Sequence, residues 1–418
     1  MTNWNATGFL VRQMSATNNC KRILFVAEAV TLAHVARLTV LAQALDPACY
    51  EIYFACADGF DFVLNGCGFK RRLIKSISGE QFMQALARGS PVYDAATLNS
   101  YIEEDLRVFD EIKPDLVVGD FRLSLAVSAP LRNIPYAALV NAHWSPYSSL
   151  QRFPFPEHPL AKIVGVKLAS IMFGIVQPLV FSLHAQSLNI LRKRYGLSSL
   201  GDLKHAYTYG NYVLYADTPY LVPTANLPAN HHYIGPVIWS PEISPPSWWE
   251  GRPVDRPWIY ATLGSSGEVS VLPEMLEAVR GLPVYLLLAT AGRVNTHDVP
   301  ENVWVVDYMP GLLAAQSSQL VICNGGSATV YQALSQGVPV LGIASNMDQY
   351  LTMSAVVRVG AGVLLRAGQA ERASIATSIR QLLRDGAYRV SAQKVAYDFE
   401  QHKASGLFRD FVQKTLEC

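Results

Sequence analysis

His34 and Asp120 are the two side chains of this sequence best suited to moving a proton. An imidazole titrates near neutrality and can accept the proton of an attacking hydroxyl, while a carboxylate on its other ring nitrogen fixes the tautomer and stabilises the imidazolium. Their spacing along the chain does not link them, but topology does. Each follows an apolar run that reads as a buried strand, residues 22–27 (RILFVA) and 115–118 with the Gly119-Asp120 that follows. Both side chains are therefore expected at the carboxyl edge of one sheet, where ligands of open α/β sheets bind. Asp120 also reads as a turn residue that pairs with Arg122 or caps the next helix. His143, in Asn141-Ala142-His143-Trp144 at the end of a further strand, is a rival for the base.

A second kind of chemistry is written in glycine. Gly325-Gly326-Ser327-Ala328-Thr329 follows an apolar run and opens a helical stretch, so it exposes N–H groups at the positive end of a helix dipole, a site for a diphosphate. Ser327 and Thr329 either add hydroxyl donors or cap that helix. Gly264-Ser265-Ser266-Gly267 is a weaker counterpart after another strand. Other nucleotide loops are missing: no glycine stands between Glu28 and His34, and no G-x-x-x-x-G-K-[ST] occurs, which argues against dinucleotide binding and P-loop phosphoryl transfer. There is no Asp-x-Asp metal motif. The six cysteines (Cys20, Cys49, Cys56, Cys67, Cys323, Cys418) form neither a C-x-x-C pair nor a zinc grouping with histidine, so no metal is expected and a reducing, cytoplasmic setting is.

The elements that must position these loops alternate between short apolar runs and longer amphipathic stretches, the pattern of a parallel α/β sheet. In the first half the strands read at residues 22–27, 51–56, 115–118 and 136–140, with helices at 36–45 and 101–112. Residues 239–257 hold five prolines and no sustained period, which marks a linker. A second alternation follows at 258–262, 284–289, 303–306, 320–323 and 338–343. The expected organisation is a flexible arm over 1–20, a first domain over 21–238, a linker over 239–256, a second domain over 257–395 and a C-terminal helix over 396–418 that crosses back to the first domain. Ligands then sit between the halves, and a hinge at the linker lets the cleft close.

Composition agrees with two globular domains: 418 residues, half of them hydrophobic and 16% charged, with a net charge of +1. No global field is present to gather a nucleic acid, and none is expected as a partner. The N-terminus has neither the basic start nor the apolar core of a signal peptide. Residues 168–191 carry no formal charge over about the length of a membrane span, but Pro178 and the polar Ser182, His184, Gln186, Ser187 and Asn189 fit two buried helices meeting at a proline kink. Membrane contact is expected to be at most peripheral.

In order and spacing the chain resembles the inverting, nucleotide-sugar-dependent glycosyltransferases that include plant UDP-glycosyltransferases and bacterial macrolide glycosyltransferases. The likeness rests on His34-Val35-Ala36-Arg37, the 114–120 stretch (PDLVVGD), Tyr233-Ile234-Gly235-Pro236-Val237, the Gly264-Ser265 turn, Asp307-Tyr308-Met309-Pro310, and above all Gly325-Gly326, Gly337-Val338-Pro339, Asp348-Gln349 and Gly360-Ala361-Gly362. It implies a GT-B architecture of two doubly wound, Rossmann-like domains, with the acceptor in the first half and the sugar nucleotide in the second.

By that resemblance His34 is the base and Asp120 orients it, while His143 and Trp144 line the acceptor pocket. Tyr308 stacks on the nucleobase and the Met309 backbone reads its edge; Ser265, Ser266, Asn324, Gly326, Ser327 and Thr329 surround the diphosphate; Asp348 and Gln349 bind the sugar hydroxyls. Read as plain structure, Tyr308 is a core aromatic and Asp348 a helix cap. The family usually has His where this chain has Asn324 and an acidic residue where it has Gln332, so the charge on the phosphate and ribose contacts is lost while their hydrogen-bonding geometry stays available. The activity implied is transfer of a hexose from a UDP- or dTDP-sugar to a hydroxyl of a mostly apolar small molecule, with the sugar nucleotide as co-substrate and no further cofactor. The alternatives are a noncatalytic nucleotide-sugar-binding auxiliary of another transferase and, further off, an epimerase of similar fold.

Overall fold

The computed structural model describes residues 20–150, 153–155, 165–264, 267–292 and 299–416. The first 19 residues of the expected arm, Ser265, Ser266 and Cys418 lie outside the described residues. Two all-parallel sheets carry the chain. The first is built from β1 (Lys21–Ala27), β2 (Tyr50–Cys56), β3 (Lys70–Leu73), β4 (Leu116–Asp120), β5 (Tyr136–Val140), β6 (Tyr212–Tyr215) and β7 (His231–Tyr233), in the order β3-β2-β1-β4-β5-β6-β7. The second holds β8 (Trp258–Thr262), β9 (Tyr285–Ala289), β10 (Val303–Val306), β11 (Leu320–Cys323), β12 (Val340–Ala344) and β13 (Gly362–Arg366), ordered β10-β9-β8-β11-β12-β13. These are the two Rossmann-like halves of a GT-B fold.

Because both faces of each sheet are covered by helices, successive side chains of one strand enter different cores. Ile23, Phe25 and Ala27 pack on one side of β1, and Leu24 and Val26 on the other. The same split separates Trp258 and Tyr260 from Ile259 and Ala261 in β8. One core cluster joins the halves, with Val140, Val213 and Tyr215 from the first meeting Trp258, Met309 and Tyr331 from the second.

Residues 239–256 contain no helix or strand, but they do not hang free. Trp249 is buried against Trp258, and Trp248 lies against Trp304, so aromatic packing fixes the linker to the second half. The last helix, Ala404–Leu416, crosses back as expected and buries Phe408 and Val412 in the first-sheet core, with Phe408 6.0 Å from Phe25 between ring centroids. That crossing needs Gly235: a Cβ there would stand 1.8 Å from the His402 carbonyl oxygen, and its φ of +83° already favours glycine.

One expectation fails. The apolar stretch from 168 onward forms a single helix, Val166–His184, that runs through Pro178 without ending; the break comes at Ala185, before the helix Gln186–Arg194. Proline costs this helix the hydrogen bond to the Gly174 carbonyl, and Gly174 is exposed, where water can take that bond. Nor is the helix buried: within it only Ala169, Phe173 and Phe181 are.

Candidate active site

Strand order reverses between β1 and β4 in the first sheet, and the register sets Ala27 beside Asp120 at their carboxyl ends. The loop after β1 leads into the helix Leu32–Gln43, whose first turns present His34 and Arg37 on one face. Both reach Asp120. His34 Nδ1 lies 2.8 Å from Oδ1, and Arg37 closes a fork, Nε to Oδ2 at 2.9 Å and an Nη to Oδ1 at 2.8 Å. The carboxylate assigns the Nδ1 proton to His34 and leaves Nε2 as the basic nitrogen. Nε2 has no hydrogen bond among the described residues, and His34 lines the cleft.

Asp120 is almost fully buried. Burial pushes its carboxyl up, but Arg37 and His34 outweigh that and hold it below the ordinary carboxylate range. Phe121, held at φ +59°, stacks flat on the His34 ring with centroids 5.1 Å apart and planes within 9°. Arg122 does not pair with Asp120; wholly buried, it bonds Glu28 at 3.0 Å and Asp105 at 3.2 Å instead. Nor does Asp120 cap a helix.

Behind the dyad a hydrogen-bonded chain crosses to the second half. Arg37 donates to Asn141 Oδ1 at 2.7 Å, Asn141 donates to Asp217 at 3.2 Å, and the Tyr331 hydroxyl donates to the same Asp217 carboxylate. Tyr331 stands on the helix Ser327–Ser335 that opens the glycine loop.

There too the strand order reverses, between β8 and β11, so the Gly264 turn and the Asn324-Gly325-Gly326 turn face each other. Gly326 is the N-cap residue and no side chain caps the helix, so Ser327 and Thr329 are not caps; the first N–H groups are left for a ligand. Gly325, at φ +81°, allows the loop to pass over Met353, whose Cγ would lie 2.7 Å from an added Cβ. Asn324 is buried and turns its Oδ1 to the Gly326 N–H at 3.1 Å. Tyr308 is 63% exposed on the cleft wall, which removes the core reading, while Met309 beneath it is buried. Gln332 donates to the Trp239 carbonyl at 2.6 Å, tying this helix to the linker.

Asp348 is not the cap of its helix, Met347–Arg358. Asn346 is, in a capping box whose other member is Gln349, and the Gln349 Oε1 is committed to Ser345 N at 2.8 Å. Asp348 instead reaches across the halves, its Oδ1 accepting from Trp144 Nε1 at 2.8 Å and His143 Nε2 at 3.1 Å. The protein around it raises its carboxyl, but His143, Trp144 and Arg37 prevail and bring it down to about 2. Its Oδ2 makes no hydrogen bond among the described residues, and nearly half of the side chain stays open to the cleft.

His143 corrects the sequence reading. The short 3-10 turn Ala142–Trp144 sends Trp144 to the cleft wall and His143 inward, where it is wholly buried and offers no nitrogen to a ligand. It supports Asp348 rather than lining a pocket. Arg37, Asn141, Asp217 and Tyr331 were not foreseen. A signal was there for two of them: Asn141 and Asp217 are polar residues just beyond the apolar runs of β5 and β6.

His34, Asp120, Tyr308, Asn324, Gly326 and Asp348 line one cleft of about 2070 Å³ that spans both halves, with Phe173, Phe181, Tyr207 and Trp144 on the first-domain side. Residues 265–405 match the family described as Erythromycin biosynthesis protein CIII-like, C-terminal domain. Over 380 residues, 91% of this chain and 89% of the relative, the sequence is 50% identical to a PGL/p-HBAD biosynthesis glycosyltransferase of Mycobacterium tuberculosis (strain ATCC 25177 / H37Ra). Over 397 residues, 95% of this chain and 88% of the relative, it is 50% identical to a PGL/p-HBAD biosynthesis rhamnosyltransferase of Mycobacterium bovis (strain BCG / Pasteur 1173P2). Among solved structures, the spinosyn rhamnosyltransferase SpnG has a TM-score of 0.69 at 18% identity, covering 95% of this chain and 100% of that one.

Proposed function

From the premise that this chain belongs to the GT-B glycosyltransferase family of the mycobacterial PGL/p-HBAD biosynthesis glycosyltransferases, we propose that it is an inverting, metal-independent hexosyltransferase acting from a UDP- or dTDP-sugar on a hydroxyl of a mostly apolar acceptor. The rhamnosyltransferase relative makes a deoxyhexose the first sugar to try. The observation that carries the reading is the His34–Asp120 pair at 2.8 Å across one cleft from an uncapped helix N-terminus.

The acceptor hydroxyl, held among the aromatic side chains of the first half, attacks the anomeric carbon and gives its proton to His34 Nε2. Asp120 stabilises the imidazolium that forms. The bond from the anomeric carbon to the diphosphate oxygen breaks on the opposite face, so a single displacement inverts the centre. Charge gathering on the leaving diphosphate meets the N–H groups that open the helix Ser327–Ser335 and the Asn324 amide, fixed dipoles that need no reorganisation. Tyr308 offers its exposed ring to the nucleobase, Gln332 its amide oxygen to the ribose, and Asp348 Oδ2 accepts from a sugar hydroxyl. A noncatalytic auxiliary has no use for a dyad buttressed this way.

Calorimetric titration with UDP, dTDP, GDP and their hexose conjugates in EDTA, followed by an acceptor screen with the conjugate that binds, tests the reading. Micromolar binding of one conjugate and a product of inverted anomeric configuration are expected. Binding without transfer to any acceptor would favour the auxiliary role, and a requirement for a divalent cation would overturn metal independence.

A further inference from the structure

The helix Val166–His184 has two apolar faces, and the fold uses one. Ala169, Phe173 and Phe181 pack inward with Phe153, Phe155 and Leu203, and Phe173, Val180 and Phe181 form part of the cleft wall. On the other side Leu168, Ile171, Met172, Ile175, Leu179 and Leu183 stand in solvent; Ile175 is 77% exposed, Ile171 65% and Leu179 63%. At 100° per residue these six fall within an arc of about 120°, a continuous stripe and not scattered surface leucines.

The charges that flank the stripe along the chain are of one sign. No Asp or Glu occurs from residue 158 to 201, while Lys167 at one end of the stripe and Lys193 and Arg194 beyond the other are exposed. On a chain of net charge +1 this is a local feature. The stretch Val166–Arg194 is long and apolar enough to cross a bilayer by length and composition. It is not free to do so, because its inner face is committed to the cleft wall and the helix breaks at Ala185. An apolar face flanked by cations, on a helix held along the protein surface, fits the headgroup plane of an anionic membrane. A second copy fits worse: pairing two such faces brings Lys167 toward Lys193 and Arg194 with no acidic side chain in the stripe to answer them.

We propose that this face docks the protein on an anionic lipid bilayer, with the helix lying in the interface and the first-domain side of the cleft beside the lipid. Flotation of the full chain with vesicles of phosphatidylcholine alone, or with about 30 mol% phosphatidylglycerol, tests it without calling on transfer activity. Wild type is expected to float with the anionic vesicles and to be partly released by high salt. The variant I171D/I175D/L179D is expected to lose at least about tenfold in partition, with nucleotide binding retained as the sign of an intact fold, and K193E/R194E to lose the salt-sensitive part alone. Failure of wild type to float, or a triple variant that floats as well as wild type, would overturn the proposal. So would a wild-type dimer in sedimentation that the triple variant splits into monomers, since that gives the face to a second copy.

Discussion

Both sheets bring their working loops to the point where strand order reverses, but they arm it differently. The first sheet uses ionisable side chains, His34, Asp120 and Arg37, each held by another and backed by Asn141 and Asp217. The second uses backbone, the opening N–H groups of Ser327–Ser335 behind two glycines, with a neutral Asn324 alongside. The difference fits the tasks proposed for the two regions. Moving a proton needs a group whose charge changes during the reaction, and such a group works only if its tautomer and neighbours are fixed. Holding a diphosphate needs a constant field, which peptide dipoles supply without titrating. One region is therefore intolerant of any single side-chain change, and the other tolerates drift at its side chains while its backbone stays.

The largest effect should come from the first region. His34→Ala removes the only ring nitrogen the dyad presents to the cleft, and kcat for transfer should fall by about 10²- to 10⁴-fold, the usual worth of a general base. Nucleotide affinity, which belongs to the other region, should stay within about twofold, the discrimination that kinetics and calorimetry together provide. A matching loss of nucleotide affinity would mean that the two regions are not separable as argued, and unchanged kcat would remove His34 from the chemistry.

The same division explains what could be read from sequence. His34 and Asp120 were legible because Asp120 ends an apolar run and His34 stands in the loop-to-helix turn that follows one, which puts both at the carboxyl edge of the sheet. Arg37 was not, because a charged residue on a helix reads as solvated until the fold buries it against Asp120. Most buried strands stood out, but the short interior β6 was missed, as were β13 and the edge strands β3 (KRRL) and three-residue β7, which lack the apolar run that marks a strand. His143 and the helix Val166–His184 failed for opposite reasons: a tight turn hid a polar ring that looked available, and apolar composition suggested burial for a face that the fold leaves outside.

Asp348 lies where the two regions meet and should show an intermediate effect. Asp348→Asn weakens the bonds from His143 and Trp144 and removes a charged acceptor from the cleft, so KM for the sugar nucleotide should rise about ten- to a hundredfold, the worth of a hydrogen bond to a charged group. The pH dependence has a definite sign. Because the carboxyl is lowered from 3.8 to about 2 in the folded protein, its contribution is present in full above about 4 and is lost as pH falls toward 2. Thermal unfolding from pH 5 to 2 should therefore show a shallower acid decline in Asp348→Asn than in wild type. Parallel curves would mean that Asp348 does not join the halves.

The smallest effect should come from giving the second region the kind of group it lacks. Asn324→His places a titratable ring beside the helix N-terminus. Binding of the intact sugar nucleotide is the right measurement, since its diphosphate is esterified at both ends and keeps a constant charge from pH 6 to 8. An imidazole with an ordinary value near 6.5 is charged only at the acid end, and a bound anion raises that value, so the variant should bind about three- to tenfold more tightly at pH 6 than at pH 8. Wild type, with peptide dipoles and an amide there among the described residues, should give a flat profile. A wild-type affinity that climbs as pH falls would show that a titrating side chain already serves the donor site, and the contrast between a field of side chains and a field of backbone would fail at its second term.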